Sequence, residues 1–261
     1  MLKYAAICPH PPILIPSIGQ DYSREVEATL ASLNELGNEI ESLAIDTIVI
    51  ISPHGPIQMD AMGINNTEKL KGDFSQFGSE TSMEYGNDMD LGINIKKIAN
   101  SKKIPVEMMD DGIPLDHGAM VPLYFLARKL PMKVVPISYS YLDYQKHFGF
   151  GEAIYEAIQN IDEGVALIAS GDLSHRLTSN APAGFSPKGK IFDKLLIEHL
   201  ENDETTEILN MDSELIEEAG ECGLRSIITL LGALSVIERK FVKMSYEGPF
   251  GVGYLVGKYK F

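Results

Sequence analysis

The chain has 261 residues, 44% of them hydrophobic and 23% charged, a profile that suits a globular protein able to bury a large core. A formal net charge of −15 argues against a nucleic-acid partner, whose phosphates need basic patches, and two cysteines, Cys8 and Cys222, give no disulfide framework and suit a reducing compartment. No apolar run reaches the roughly 18–20 residues that span a bilayer. The N-terminal run, interrupted by His10 and prolines, lacks the form of a signal peptide, so the expectation is a cytoplasmic protein with no membrane partner.

Strand-like and helical patterns alternate along the chain. The apolar run Leu2–Cys8 ends in Pro9-His10-Pro11-Pro12. A helix is predicted over Asp21–Leu43, where Val26, Leu30, Leu33, Leu36, Ile40 and Leu43 recur at three- and four-residue spacing and give one apolar face. The run Thr47–Ser52 then leads into Pro53-His54-Gly55-Pro56, and a strand over Met59–Asn65 precedes a polar loop, Asn66–Asn87. There follow a helix at Met89–Asn100, a strand at Pro105–Met109, a helix at Gly118–Leu130, a strand at Lys133–Ser138 and a helix at Tyr144–Asn160. The strand Val165–Ser170 opens a further long loop, Asp172–Gly189. Helices at Lys190–Glu201 and Leu224–Glu238 precede two closing strands, Lys240–Tyr246 and Gly253–Lys260, and the acidic stretches Glu201–Glu207 and Asp212–Glu218 read as solvated helix faces. Thr47–Ile51 and Val165–Ala169 are nearly continuous apolar runs, as in strands covered on both faces. With no linker-like break, these patterns predict a single α/β domain over residues 1–261, with a central, mostly parallel or mixed sheet and helices on both faces.

The histidines point to chemistry. A proline before His10 and another before His54 bias the chain to extended geometry and remove a backbone donor. Each imidazole therefore sits on a stiff turn just past a strand, where α/β proteins build ligand sites. His117, in Asp116-His117-Gly118, and His175, in Ser170-Gly171-Asp172-Leu173-Ser174-His175, occupy similar junctions, whereas His147 and His199 fall in helical patterns. Two neutral imidazoles and a carboxylate leave three open positions, the facial arrangement of non-haem Fe(II) oxygenases. Two neighbouring candidates for the third ligand stand in Gly220-Glu221-Cys222-Gly223, just before a helix whose start favours an ionised Glu221 and equally lowers the pKa of Cys222. The simpler reading is a solvated glutamate and a small buried cysteine. His117, beside Asp116 as a helix N-cap, and His175 are candidates for proton transfer without binding metal. Asp172 either orients an imidazole or closes an Asx turn. Arg176 and Lys188, in or beside the Asp172–Gly189 loop, are the cations an anionic substrate would meet, with surface solubility as the simpler role.

The stretches Cys8–Pro12, Ser52–Pro56, Leu115–Leu123, Ser170–Arg176, Glu218–Ile227 and Ser245–Tyr254 resemble the class III extradiol dioxygenases. That LigB-like family is typified by the catalytic β-subunit of protocatechuate 4,5-dioxygenase. The chain most resembles the branch found alone or fused to an AMMECR-type domain, whose relatives include the Memo-like proteins. The resemblance implies an oxidoreductase with Fe(II) held by His10, His54 and Glu221. It implies His175 as active-site base and proton shuttle, and His117 as a second acid–base or oxygen-stabilising group. A small aromatic diol and O2 would be the substrates, with the ring opened beside the diol, and a homo-oligomer is common in the superfamily. In the Memo-like relatives a cysteine takes the third ligand position, so adjacent Glu221 and Cys222 leave both ligand and metal open. A carboxylate suits Fe(II), whereas a thiolate favours Zn or Cu(I). The alternative reading is thus a Memo-like metal-binding redox or interaction protein without dioxygenase activity. The acidic surface and the scarcity of basic residues near these motifs favour an uncharged aromatic over a carboxylated one.

Overall fold

A computed structural model describes residues 1–109, 112–128 and 131–261. In chain order its elements are β1 (Leu2–Cys8), α1 (Pro16–Gly19), α2 (Glu27–Ser42), β2 (Thr47–Ser52), β3 (Met62–Ile64), β4 (Lys69–Asp73), β5 (Ser82–Asn87), α3 (Met89–Ser101), β6 (Val106–Met108), α4 (His117–Leu126), β7 (Lys133–Ser138), α5 (Tyr144–Gln159), β8 (Val165–Ser170), α6 (Pro187–Glu201), α7 (Thr205–Leu209), α8 (Ser213–Ala219), α9 (Leu224–Ala233), β9 (Lys240–Glu247) and β10 (Tyr254–Lys260). They form one α/β domain on a ten-stranded mixed sheet of order β4–β5–β7–β2–β8–β1–β10–β9, with β3 pairing β7 and β6. The central strands β7, β2, β8 and β1 are parallel, and β10 joins β1 antiparallel. Their carboxyl ends therefore meet along one edge, and the turns that follow face a common space.

The unbroken apolar runs have a direct structural cause. In β2, Val49 and Ile51 enter one core cluster while Ile48 and Ile50 enter the other. In β8, Val165, Leu167 and Ala169 go with the first, and Ala166 and Ile168 with the second. Both faces are covered: α3, α5, α6 and α9 contribute to the first cluster, α2 and α4 to the second. Alternation exists, but both sides of it are dry.

The expected loop Asn66–Asn87 instead holds the antiparallel pair β4–β5. Its polar composition comes from a wetted face, since in β4 only Leu70 and Gly72 are buried. The helix expected from Asp21 becomes regular only at Glu27, after a 3-10 stretch over Gln20–Val26. The last predicted helix stops at Ala233. The helix expected over Gly118–Leu130 runs from His117 to Leu126, and the final two residues of that expected span lie outside the described residues. The helices that carry the acidic stretches, α7 and α8, also bury Ile208, Ile216 and Ala219 against the core. Among the described residues, no helix is long and apolar enough to cross a membrane.

Helices α5 and α9 pack backbone to backbone. A Cβ on Gly151 would lie 1.9 Å from the Thr229 carbonyl oxygen, and one on Gly232 would lie 2.0 Å from that of Phe148. Gly151→Ala should therefore push the helices apart and cost about 1–3 kcal/mol, read as a lower urea midpoint with unchanged slope. Close by, His147 is fully buried with Nδ1 2.8 Å from the Asp143 carbonyl, and burial pushes its pKa down to about 4. The unfolded chain takes up a proton at this side chain below about pH 6.5, which the fold refuses until about pH 4. Relative to a His147→Gln variant, the wild type should lose stability as pH falls through that window and keep a constant difference above it. Denaturation at a series of pH values would show this, and a flat difference would refute it.

Candidate metal centre

Three parallel strands deliver the groups that meet at the sheet edge. Beyond β1 comes His10, beyond β2 comes His54, and beyond β8 come Asp172 and His175. The Nε2 atoms of His10 and His54 are 3.0 Å apart, and the Cys222 Sγ is 3.7 Å from His10 Nε2. These three donor atoms all lie within 4.8 Å of one another, the one such group of His, Cys or acidic residues among the described residues.

Hydrogen bonding fixes the His10 tautomer. The Ser170 hydroxyl is 2.5 Å from the Gly118 carbonyl, which can only accept, so Ser170 donates its single proton there. The same oxygen, 3.0 Å from His10 Nδ1, is then left to accept, which puts the ring proton on Nδ1 and the lone pair on Nε2. That lone pair faces His54 Nε2 and the thiol. Two ring nitrogens this close need a proton or a cation between them, and the donor set of two imidazoles and a thiol fits a metal ion. Asp172 anchors the turn: its Oδ1 accepts the His10 backbone N–H at 2.9 Å, and its Oδ2 stands 4.0 Å from His10 Nε2.

His117 and His175 complete the cluster. The His117 ring stacks on His54 with centroids 4.3 Å apart, and Phe77 meets the His117 ring edge-on at 5.4 Å. Asp116 caps α4 by accepting the Ala119 N–H at 3.1 Å, and also accepts the Ser52 hydroxyl at 2.5 Å. The α4 start is thereby tied to the end of β2. His175 has a buried Nδ1 with no hydrogen-bond partner among the described residues. Burial, reinforced by the neighbouring imidazoles, holds His10 well below its usual pKa and takes His54 to about 4. Burial also lowers His117 and His175, so all four rings are neutral near pH 7.

The structure brings Cys222, and not the Glu221 carboxylate, to the two imidazoles. Gly171 and Gly223 permit this, since a Cβ on Gly171 would fall 2.1 Å from the Gly223 Cα. The Asp172 carbonyl then accepts the backbone N–H of both Cys222 and Gly223, at 3.4 and 3.0 Å. Glu221 turns to the helix start instead, where its carboxylate accepts the Leu224 N–H at 2.5 Å. Burial pushes Glu221 up to about 7 despite that bond and the nearby Arg225, and pushes Asp172 to about 7 as well. Burial, with the adjacent Asp172 and Glu221, raises the Cys222 thiol well above its usual value. A bound cation reverses this ordering for any group that ligates it.

The remaining sequence candidates are engaged elsewhere. Arg176 bonds the Ala183 carbonyl at 2.9 Å and pairs with Glu218 at 3.6 Å, while Lys188 pairs with Glu214 at 2.5 Å. Sequence reasoning passed over Ser170, whose role appears only once Gly118 and His10 are neighbours. It also passed over Phe77, which lay in the segment read as loop.

Comparison with known proteins places the chain. The family model for the catalytic LigB subunit of aromatic ring-opening dioxygenases matches residues 4–257. The chain belongs to this LigB family. Enzymes of the family depend on a metal, in keeping with the donor group at the sheet edge. Protein CA_C1420 of Clostridium acetobutylicum is 36% identical over 97% of the chain, which spans 56% of that relative's length. The 3,4-dihydroxyphenylacetate 2,3-dioxygenase of Escherichia coli is 27% identical, over 77% of this chain and 78% of its own. An uncharacterized Escherichia coli K12 protein, JW3007, shares the fold with a TM-score of 0.69 at 18% identity, covering 98% of both chains.

Because Ser170 sets the His10 tautomer, Ser170→Ala should weaken binding of a divalent metal about ten- to a hundredfold without unfolding the protein. Competition titration against a chromophoric chelator measures it, and unchanged affinity would refute the assignment.

Proposed function

We propose that this LigB-family chain is a dioxygenase that inserts O2 into a catechol-type ring in the extradiol position. Fe(II) would be held by His10, His54 and an anion from the Glu221-Cys222 pair. The observation that carries the reading is the approach of two imidazole nitrogens to 3.0 Å beside a third donor, at the edge where the parallel strands end. Bound there, Fe(II) would supply the point at which the diol oxygens and O2 meet.

The chain's own residues take the remaining tasks. His175, kept neutral by burial and with an unpartnered Nδ1, is the base that accepts a phenolic proton and later returns it. His117, neutral and stacked on His54, is the second acid–base group beside the substrate. Asp172 orients His10 through its backbone N–H. The Escherichia coli relative, named for a dihydroxylated aromatic acid, supports a catechol-class substrate. Two free thiols, Cys8 and Cys222, fit a reducing cytoplasm.

One observation favours a second reading. The donor that reaches the imidazoles is the Cys222 thiol, and thiolate prefers Zn or Cu(I), as expected for a Memo-like metal-binding protein without ring-cleaving activity.

Elemental analysis of protein purified without oxygen separates the two. Iron retained in Cys222→Ala but lost in Glu221→Ala supports the dioxygenase; zinc or copper with the opposite pattern supports the second reading. Iron-loaded protein given catechols and O2 should produce the absorbance of a ring-opened product. His175→Ala should lose that turnover by at least a hundredfold while keeping its iron, and loss of iron in this variant would overturn its role as a non-ligand base.

A further inference from the structure

The turn that carries His175 is held by an acid from another part of the chain. Ser174, the residue before His175, is fully buried and hydrogen-bonded at every polar atom. Its hydroxyl donates to the Ala219 carbonyl at 2.8 Å and accepts the Arg176 N–H at 3.0 Å, and its carbonyl accepts the Gly253 N–H at 2.9 Å. Its own N–H donates to Asp193 Oδ1 at 2.8 Å. Asp193 lies on α6, and its Oδ2 accepts the hydroxyl of Tyr246, on β9, at 2.6 Å. One carboxylate thus ties the His175 turn to a helix and to the last strand of the sheet.

Asp193 is 1% exposed and forms no ion pair among the described residues. A buried carboxylate without a cation opposes folding unless hydrogen bonds compensate, and here one N–H and one O–H must do so. Burial pushes Asp193 up to about 6 against the pull of those two bonds, so near pH 7 it is an ionised acceptor of both. Such charge-assisted bonds are shorter and stronger than neutral ones. The fold keeps room for them. A Cβ on Gly253 would fall 2.2 Å from Asp193 Oδ2, and one on Gly189 would fall 2.5 Å from the Ser174 hydroxyl. The His175 ring, by contrast, has a buried Nδ1 without a partner, so its aim depends on the backbone beneath it.

We propose that Asp193 is a positioning residue for His175: its carboxylate, braced by Tyr246, fixes Ser174 so that the imidazole is aimed at the substrate. Asp193 itself touches neither substrate nor metal. The inference rests on the reading of His175 as the base of a ring-cleaving reaction.

Kinetics of the iron-loaded protein separate aim from folding. Asp193→Ala should lower kcat for catechol opening about a hundredfold and change KM less than about threefold, because a misplaced base slows proton transfer without loosening the diol. Iron content and circular dichroism should match the wild type. Asp193→Asn keeps an acceptor for the Ser174 N–H and should hold kcat within about tenfold of the wild type; Tyr246→Phe, which removes the brace alone, should lose about three- to tenfold. Equal loss of kcat in Asp193→Ala and Asp193→Asn overturns the proposal, as does a loss that lies in KM or in iron content.

Ring NMR of the zinc-loaded protein needs no turnover. The His175 ring signal, assigned by its absence in His175→Gln, should shift or broaden in Asp193→Ala while those of His10 and His54 hold. An unmoved His175 signal overturns the proposal. Should Asp193→Ala fail to fold, Tyr246→Phe is judged by the same criterion. A displaced His175 signal, in a protein whose wild type opens no catechol, would sink the ring-cleaving reading and support the tie. Wild-type turnover in Asp193→Ala would do the reverse.

Discussion

Four imidazoles crowded at the carboxyl ends of the parallel strands are the constraint around which this molecule is organised. Each is disfavoured as a cation by burial, and His10 and His54 are further disfavoured by their neighbours. The result is a set of neutral rings whose nitrogen lone pairs are free to bind, His10 buried and His54 open to solvent. One such lone pair, on His10, is aimed by a single hydroxyl proton: the Ser170 proton goes to Gly118, so the imidazole must donate from Nδ1. Neutrality thus serves two chemical ends, since an unprotonated imidazole is both a metal ligand and a base.

The sheet makes this crowding possible by placing β8 between β1 and β2. The turns after β1 and β2 bring His10 and His54 in from either side, and the turn after β8 supplies Asp172 beneath His10. The fourth contribution comes from much later in the chain. It reaches the centre only because two glycines let backbone lie against backbone at Gly171 and Gly223. A side chain at Gly171, whose Cβ would fall 2.1 Å from the Gly223 Cα, would hold Cys222 away from the imidazoles. Both helical layers matter as well: the Asp116 cap binds α4 to the end of β2 through Ser52, fixing His117 against His54.

Much of this was legible in the sequence, for physical reasons that differ from residue to residue. The central strands were readable because both their faces are dry, which leaves an apolar run no polar residue interrupts. His10 and His54 stood out because proline fixes the turn before each, a local signal that survives without tertiary context. The hairpin β4–β5 was not readable, since an edge with a wetted face has the composition of a loop. Arg225 was passed over for a different reason. Its meaning depends on three tyrosines from another part of the chain, and nothing in its own surroundings in sequence announces them. A net charge of −15 likewise describes the surface as a whole and says nothing of one guanidinium among aromatic rings.

The pairing of Glu221 with Cys222 is where local and tertiary forces pull in different directions. A carboxylate two residues before the Gly223 cap is well placed to satisfy the first free N–H groups of α9, and Glu221 does so at Leu224. To join the imidazoles it must give up that bond and the field of Arg225, which together hold its charge against burial. The thiol faces the opposite problem. It is already in place, but burial and two nearby carboxyls oppose its ionisation, so it ligates only an ion strong enough to displace its proton. A hard Fe(II) is better served by moving the carboxylate, and a soft Cu(I) or a zinc ion by deprotonating the thiol. The identity of the bound metal and the position of Glu221 are therefore a single choice.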